Sequence, residues 1–274
     1  MALFGRQWAL TIGDRQWVDL RVTFEINRNL NKHPDPAQIT VCNVAKQTRS
    51  SFAQGQQVRL VAGYGDAAGL IYAGTLTGIT PQRDGPDYSV SLSCRDGDAA
   101  YRASVRQAYA VGAPVGIVAK NLAAAMGLTL GAGSLDALAG LTTRGALVHV
   151  GYAQEKLQQL LEPHGLRWCV VDGVISIVAD DGATAEDAIL LTPDTGLVGS
   201  PEPIADKVPP IGAKVRRLRL TSLLQPGFVP GRRVKLQSIE YSGVYRVDRL
   251  IHKGDTHGQD WYSVAECSVV AGAA

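Results

Sequence analysis

One ordered pattern of turn and strand residues occurs twice in this chain, with unlike material between. Self-similarity of that kind points to two related units around an insertion. The first copy opens at Gly55-Gln56-Gln57-Val58-Arg59-Leu60, passes through Gly69 and Tyr72, and closes at Tyr88-Ser89-Val90 with Cys94 beyond. The second opens at Gly231-Arg232-Arg233-Val234-Lys235-Leu236, passes through Gly243 and Tyr245, and closes at Tyr262-Ser263-Val264 with Cys267 beyond. A glycine turn followed by alternating Val and Leu is an ordinary strand start when met once. Three anchors kept in order are what mark a duplication. The expected units are β domains, and duplicated β modules serve assembly more often than catalysis.

The rest of the sequence agrees with a β-dominated class. Thirty glycines and thirteen prolines stand against two methionines and four phenylalanines, a turn-rich composition. At 274 residues there is room for two or three modest cores. A net charge of +2 with 19% charged residues excludes a nucleic-acid binder acting by bulk charge. Cys42, Cys94, Cys169 and Cys267 form no C-x-x-C pair and so lack the usual zinc and redox spacings. They read as small buried hydrophobes in a reducing compartment. With no apolar run of membrane-spanning length, folding in the cytosol without membrane insertion is expected.

Along the chain, Val18, Leu20, Val22, Phe24 and Ile26 alternate with polar residues, which predicts a half-buried strand. Further strands are expected at 38–42, 58–64, 70–79 and 88–94, with one helical turn at 46–52. Pro114 at a first helical position and Val118, Leu122 and Met126 before Gly127 predict a helix over 114–126. Leu157, Leu160 and Leu161 before Pro163-His164-Gly165 predict another over 153–162. Asp172-Gly173 between apolar runs is hairpin-turn chemistry. Five prolines between Leu191 and Ile211 predict a linker or crossing arm without regular structure. Strands follow at 214–224, 233–238, 244–252 and 261–270. The expected division is a first β-barrel over 1–100, a small α+β domain over 101–190, a Pro-rich linker over 191–212 and a second β-barrel over 213–274. That second barrel is either smaller than the first or completed by strands from elsewhere in the chain.

The C-terminal third resembles the baseplate hub proteins of tailed bacteriophages. The residues that carry the resemblance are Gly196-Leu197-Val198-Gly199-Ser200-Pro201, Thr221-Ser222-Leu223-Leu224-Gln225-Pro226, Pro230-Gly231-Arg232-Arg233-Val234, Ser242-Gly243-Val244-Tyr245-Arg246-Val247, His252-Lys253-Gly254-Asp255-Thr256 and Trp261-Tyr262. The N-terminal third resembles the same family's leading barrel, and the middle resembles the short α+β modules of hub proteins and secretin rings. The resemblance implies two barrels of tail-tube type flanking an α+β insertion. It implies a homotrimer whose six barrels meet a sixfold tube. The implied partners are the tail tube protein, the tail tip or spike protein, the tape measure protein and DNA in transit, with no cofactor and a place in the virion tail. A hub of a contractile secretion or toxin-delivery particle would share this logic, and a tail-borne cell-wall hydrolase is the enzymatic alternative.

Catalytic signatures are absent from the sequence. His252, Asp255 and His257 lie in a turn-rich segment without metal-ligand spacing. His164 sits at a helix end and His149 in an apolar strand. Most carboxylates stand in Asp-Gly turns, where their usual work is bonding local backbone. No phosphate loop, G-x-S-x-G or dinucleotide fingerprint occurs. Expected function is therefore carried by surfaces. Tyr72, Tyr245, Trp261 and Tyr262 are candidate rim contacts, with core packing as the competing role. Lys214, Arg216, Arg217 and Arg219 are candidate channel or partner contacts, Arg217 and Arg219 sharing one strand face. Solvated strand faces or ion pairs are the plain alternative.

Overall fold

The computed structural model describes residues 5–84, 87–204 and 216–270. The first copy is built from β1 (Arg6–Ile12), β2 (Arg15–Trp17), β3 (Val22–Asn29), β4 (Pro36–Cys42), β5 (Gln57–Tyr64), β6 (Gly69–Asp84) and β7 (Asp87–Arg95), with one helical turn, α1 (Lys46–Arg49). The period-two alternation of β3 puts Val22, Phe24 and Ile26 inside and Thr23, Glu25 and Asn27 outward. The middle segment carries α2 (Asp98–Tyr101), β8 (Ser104–Tyr109), α3 (Val115–Ala125), β9 (Thr129–Leu130), α4 (Ser134–Ala137), β10 (Leu147–Tyr152), α5 (Ala153–Leu161), β11 (Leu166–Val171) and β12 (Val174–Ala179). The second copy follows with β13 (Ile189–Leu191), β14 (Glu202–Pro203), β15 (Arg217–Leu223), β16 (Arg233–Gln237), β17 (Ser242–Asp255) and β18 (Trp261–Val269).

Both copies join in one 13-stranded sheet, ordered β14-β15-β18-β17-β3-β4-β7-β6-β5-β1-β2, with β16 on the near half of β17 and β13 on β16. The meanders β5-β6-β7 and β16-β17-β18 correspond down to single hydrogen bonds. Gly55 N donates to Leu76 O at 2.8 Å and Leu76 N to Gln56 O at 2.9 Å; Gly231 N donates to Val247 O at 2.8 Å and Val247 N to Arg232 O at 3.0 Å. Gly55 and Gly231 have φ of 89° and 87°, a conformation that only glycine adopts without strain. A bulge follows in each copy, after Leu76 opposite Cys94 and after Val247 opposite Cys267. The cysteines are thus equivalent core positions beside a bulge that bends its strand.

This register corrects two pairings that the sequence pattern invites. With Leu76 matched to Val247, Tyr72 corresponds to Gly243 and Gly74 to Tyr245. The Tyr72 hydroxyl fills the space where a Cβ of Gly74 would stand, and the Tyr245 ring lies against Gly243 in the same way. The Tyr-over-Gly pair is kept with its order reversed. The triplets Tyr88-Ser89-Val90 and Tyr262-Ser263-Val264 are one residue out of step, so Trp261 is the equivalent of Tyr88.

Two short strands upstream of residue 213 lie on the sheet beside the second copy. β13 pairs in parallel with β16, and β14 pairs antiparallel with β15. The proline-rich stretch is therefore not wholly irregular, because an edge strand tolerates the missing N–H of Pro203. The expected helices and hairpin form as α3, α5 and β11-β12, whose turn residues Asp172 and Gly173 both take positive φ. The ribbon β8-β10 went unread because its partners are about forty to fifty residues apart.

Three large hydrophobic clusters fill the fold. One lies under β1–β7, one between α3, α5 and the β11-β12 hairpin, and one inside β13–β18. Trp261 and Leu224, from the second copy, belong to the first cluster.

Candidate functional site: a polar sheet face and the seam beneath it

The far half of β17 leaves β16 and pairs with β3 of the other copy, from Arg249 opposite Asn29 to Asp255 opposite Thr23. This seam joins the two copies in one sheet. Beneath it Phe24 meets Trp261 edge to face, with centroids 5.5 Å apart. The β17-β18 tip is clamped from the first copy: Arg6 donates to the carbonyls of Asp255, Gly258 and Gln259 and lies 5.4 Å over the Trp261 ring. Arg21 reaches Asp255 at 2.7 Å, an ion pair that holds the Asp255 carboxyl below its ordinary range.

Above the seam the sheet presents a largely polar face, broken by the Ile251–Val264 pair. One cross-strand row runs Tyr262, Lys253, Glu25, Gln38, Ser93 and Gly78; another runs Asp255, Thr23, Thr40, Ser91 and Thr80. Amides and hydroxyls dominate. Gln38 and Ser91 are hydrogen-bonded, and Ser93 donates to Gln38 at 3.1 Å. The charges on this face are interspersed, so it carries no block of one sign.

Arg217 and Arg219 stand on this face, as their spacing predicts, with Leu218 and Leu220 buried behind them. Both lie beside Glu266, at 3.8 and 3.3 Å, and Arg219 is also 3.8 Å from Glu202. Their charge is largely balanced within the chain. Arg216 is exposed next to them, and Lys214 lies outside the described residues. Of the four aromatic candidates, Tyr72, Tyr245 and Trp261 are in the interior and Tyr262 alone keeps partial exposure, on the polar face. Trp261 does serve an interface, the one between the two copies.

Nothing in the sequence marked the contacts that join the middle segment to the two copies. Arg28, 2% exposed, donates to Ile71 O at 2.8 Å and to Asp172 in the hairpin turn at 2.6 Å. Asp172 also accepts from Ala73 N, and its own N–H donates to Asp96 at 2.8 Å. On the other side Arg246, 4% exposed, donates through Nη1 to the carbonyls of Ala179, Asp180 and Gly182 and through Nε to Asp248. Two buried arginines thus pin one hairpin, one from each copy. A buried charge is tolerated only when paired and hydrogen-bonded, so each is specific to its socket. Burial raises Asp35 to about 7 and Asp96 to about 6 beside Arg28. Burial, with Arg28 nearby, lowers His252 to about 3.

Among the described residues, no group of three His, Cys, Asp or Glu side chains is placed to hold a metal ion. None of their helices is long and apolar enough to cross a membrane.

The architecture has clear relatives among solved structures. The 43 kDa tail protein of prophage MuSo2 from Shewanella oneidensis superimposes with a TM-score of 0.68 at 11% identity, over 97% of this chain and 98% of that one. The tail protein from Neisseria meningitidis MC58 gives 0.65 at 13% identity, over 97% of each chain. The E. coli c3393 protein, a component of the type VI secretion system with structural similarity to the T4 tail proteins gp27 and gp5, gives 0.62 at 16% identity, over 95% of this chain and 76% of that one. No family model matches the sequence, and no curated protein does. The chain has the fold of phage tail proteins, mainly β with an α+β insertion.

Proposed function

We propose that this protein is a structural hub of a phage tail. In this reading three copies close a ring that joins the tail tube to the tip or spike. The observation that carries it is the seam between β17 and β3, which sets two equivalent barrels side by side in one chain. Repeating the same step from chain to chain produces a ring of six barrels with threefold chemical identity, suited to a sixfold tube on one face and a threefold spike on the other. The polar sheet face lines the channel. Its Ser, Thr and Gln side chains and balanced charges let a polyanion pass without the tight, salt-dependent hold of a basic groove. Arg217 and Arg219 lie at one margin of that face, and Arg216 and Lys214, near them in sequence, are assigned the same contact.

The likeness to a type VI secretion component favours a second reading, a hub of a contractile secretion particle, which uses the same ring. Catalysis has no part in either. Class averages of the purified protein at high concentration test the ring: six-lobed end views with a central hole are expected. Averages of single, unclosed two-barrel particles under those conditions would contradict it.

A further inference from the structure

Resting on the ring reading, we infer that the seam between chains uses the outer edges of β6 and β14, with Pro81 opposite Pro203. It is therefore poorer in hydrogen bonds than the seam inside each chain.

The placement follows from the internal duplication. β17 offers residues 249–255 to β3 after its bulge. The equivalent run after the β6 bulge, 78–84, has β7 on one edge and no strand on the other among the described residues. The equivalent of β3 is β14, because Glu202 and Pro203 face Arg219 and Leu218 as Glu25 and Ile26 face Gln38 and Ala37. Its outer edge is likewise without a strand among the described residues. Each open edge is the counterpart of one half of the closed seam. Matching His252 to Pro81 and Ile26 to Pro203 puts the two prolines opposite each other.

Backbone direction decides what that pair can do. Antiparallel partners alternate between those that exchange two hydrogen bonds and those that exchange none. Leu30 N donates to Asp248 O, so the hydrogen-bonded pairs of the closed seam include Ile26 with His252. Ile204 N donates to Arg217 O, which turns Pro203 away from β15 and outward. Asn43 N donates to Tyr88 O, so Tyr88 and Val90 face β4, and Pro81 opposite Val90 is turned outward as well. At the site where the inner seam exchanges two hydrogen bonds, the seam between chains sets two carbonyls against each other without a donor. A cleft of about 260 Å³ lies between Ile79, Pro81, Tyr88 and Val90 of this edge and Lys46, Arg49 and Ser50 at α1. In the closed seam the equivalents Leu250, His252 and Trp261 lie against β3. Prolines on open edges also discourage pairing with wrong partners, so the ring closes weakly by itself and only in one register.

Two variants test this in the full chain. Pro81→Val with Pro203→Val restores both donors. A net hydrogen bond is worth about a fivefold gain in association. With two hydrogen bonds restored in each of three seams, and a half-assembly concentration that varies as the square root of the association constant, the midpoint should fall by about a hundredfold. Gln82→Cys with Glu202→Cys, in a Cys42→Ser background, places cysteines at a non-hydrogen-bonded pair, where side chains approach closely enough for a disulfide. Mild oxidation should give covalent trimers on a denaturing gel. Trimers in scattering that neither cross-link nor respond to the valines would overturn this seam and leave the ring reading standing. Monomers throughout, in every variant, would overturn both.

Discussion

Arg28 ties β3 of one barrel to the hairpin turn of the middle segment, and its surroundings make the junction sensitive to pH. Removing one partner of a buried pair costs about 3–5 kcal/mol, because the other charge is left uncompensated. Asp35 accepts from the N–H and the side-chain amide of Asn29, yet burial dominates and raises it to about 7. A carboxyl raised in the folded state binds its proton more tightly there than in the unfolded chain. Its contribution is therefore full below the ordinary carboxylate range and is lost as pH rises toward 7. Asp96, raised to about 6, has the same sign; His252, lowered to about 3, has the opposite one and loses its contribution as pH falls from about 6.5. Replacing Asp35 by Asn removes one of these slopes. Unfolding free energies of variant and wild type at pH 5 and pH 8 should show the variant gaining on the wild type as pH rises. A difference constant with pH would contradict the assignment. The hairpin turn at Asp172 was legible in the sequence but its partners were not: Arg28, Asp35 and Asp96 are ordinary loop and strand residues there, and only tertiary packing brings them together.

Between the copies, the contact is made by β17 and β3, and Gly254 is the element's critical position. A Cβ there would overlap the Phe24 ring and lie 2.9 Å from Trp261. Gly254→Ala should destabilise the protein by about 2 kcal/mol through overpacking. Gly145→Ala, with nothing near its Cβ, should be close to neutral. Chemical denaturation of both checks this, and equal midpoints would show that the seam yields easily. Most elements of the meanders were legible because half-buried strands announce themselves by period two and by glycine turns. β1 went unread although it alternates, and β13 and β14 are too short and proline-flanked to show a period. Matching Tyr-Ser-Val between copies misled by one residue, since the runs Tyr88–Cys94 and Trp261–Cys267 are equally long and unbroken and the shared letters simply fall one place apart within them. The candidate site was half legible: the shared face of Arg217 and Arg219 follows from alternation, but Glu266, which balances them, comes from a different strand. The burial of Tyr72, Tyr245 and Trp261 follows from the Tyr-over-Gly packing and the seam, which no single strand reveals.

For the whole molecule, the duplication is the organising fact. One chain holds two versions of the same meander, one closed against its neighbour and one whose corresponding edges meet no strand among the described residues. That asymmetry gives the chain a way to continue the wall with copies of itself, and the middle segment, pinned by Arg28 and Arg246, is carried along as a fixed part of each unit. Native mass by light scattering over a concentration series tests this most directly. A rise from one 29.1 kDa chain to a plateau at three chains is expected. A mass that stays at one chain at the highest concentration, or that grows past three without a plateau, would contradict a closed trimeric ring.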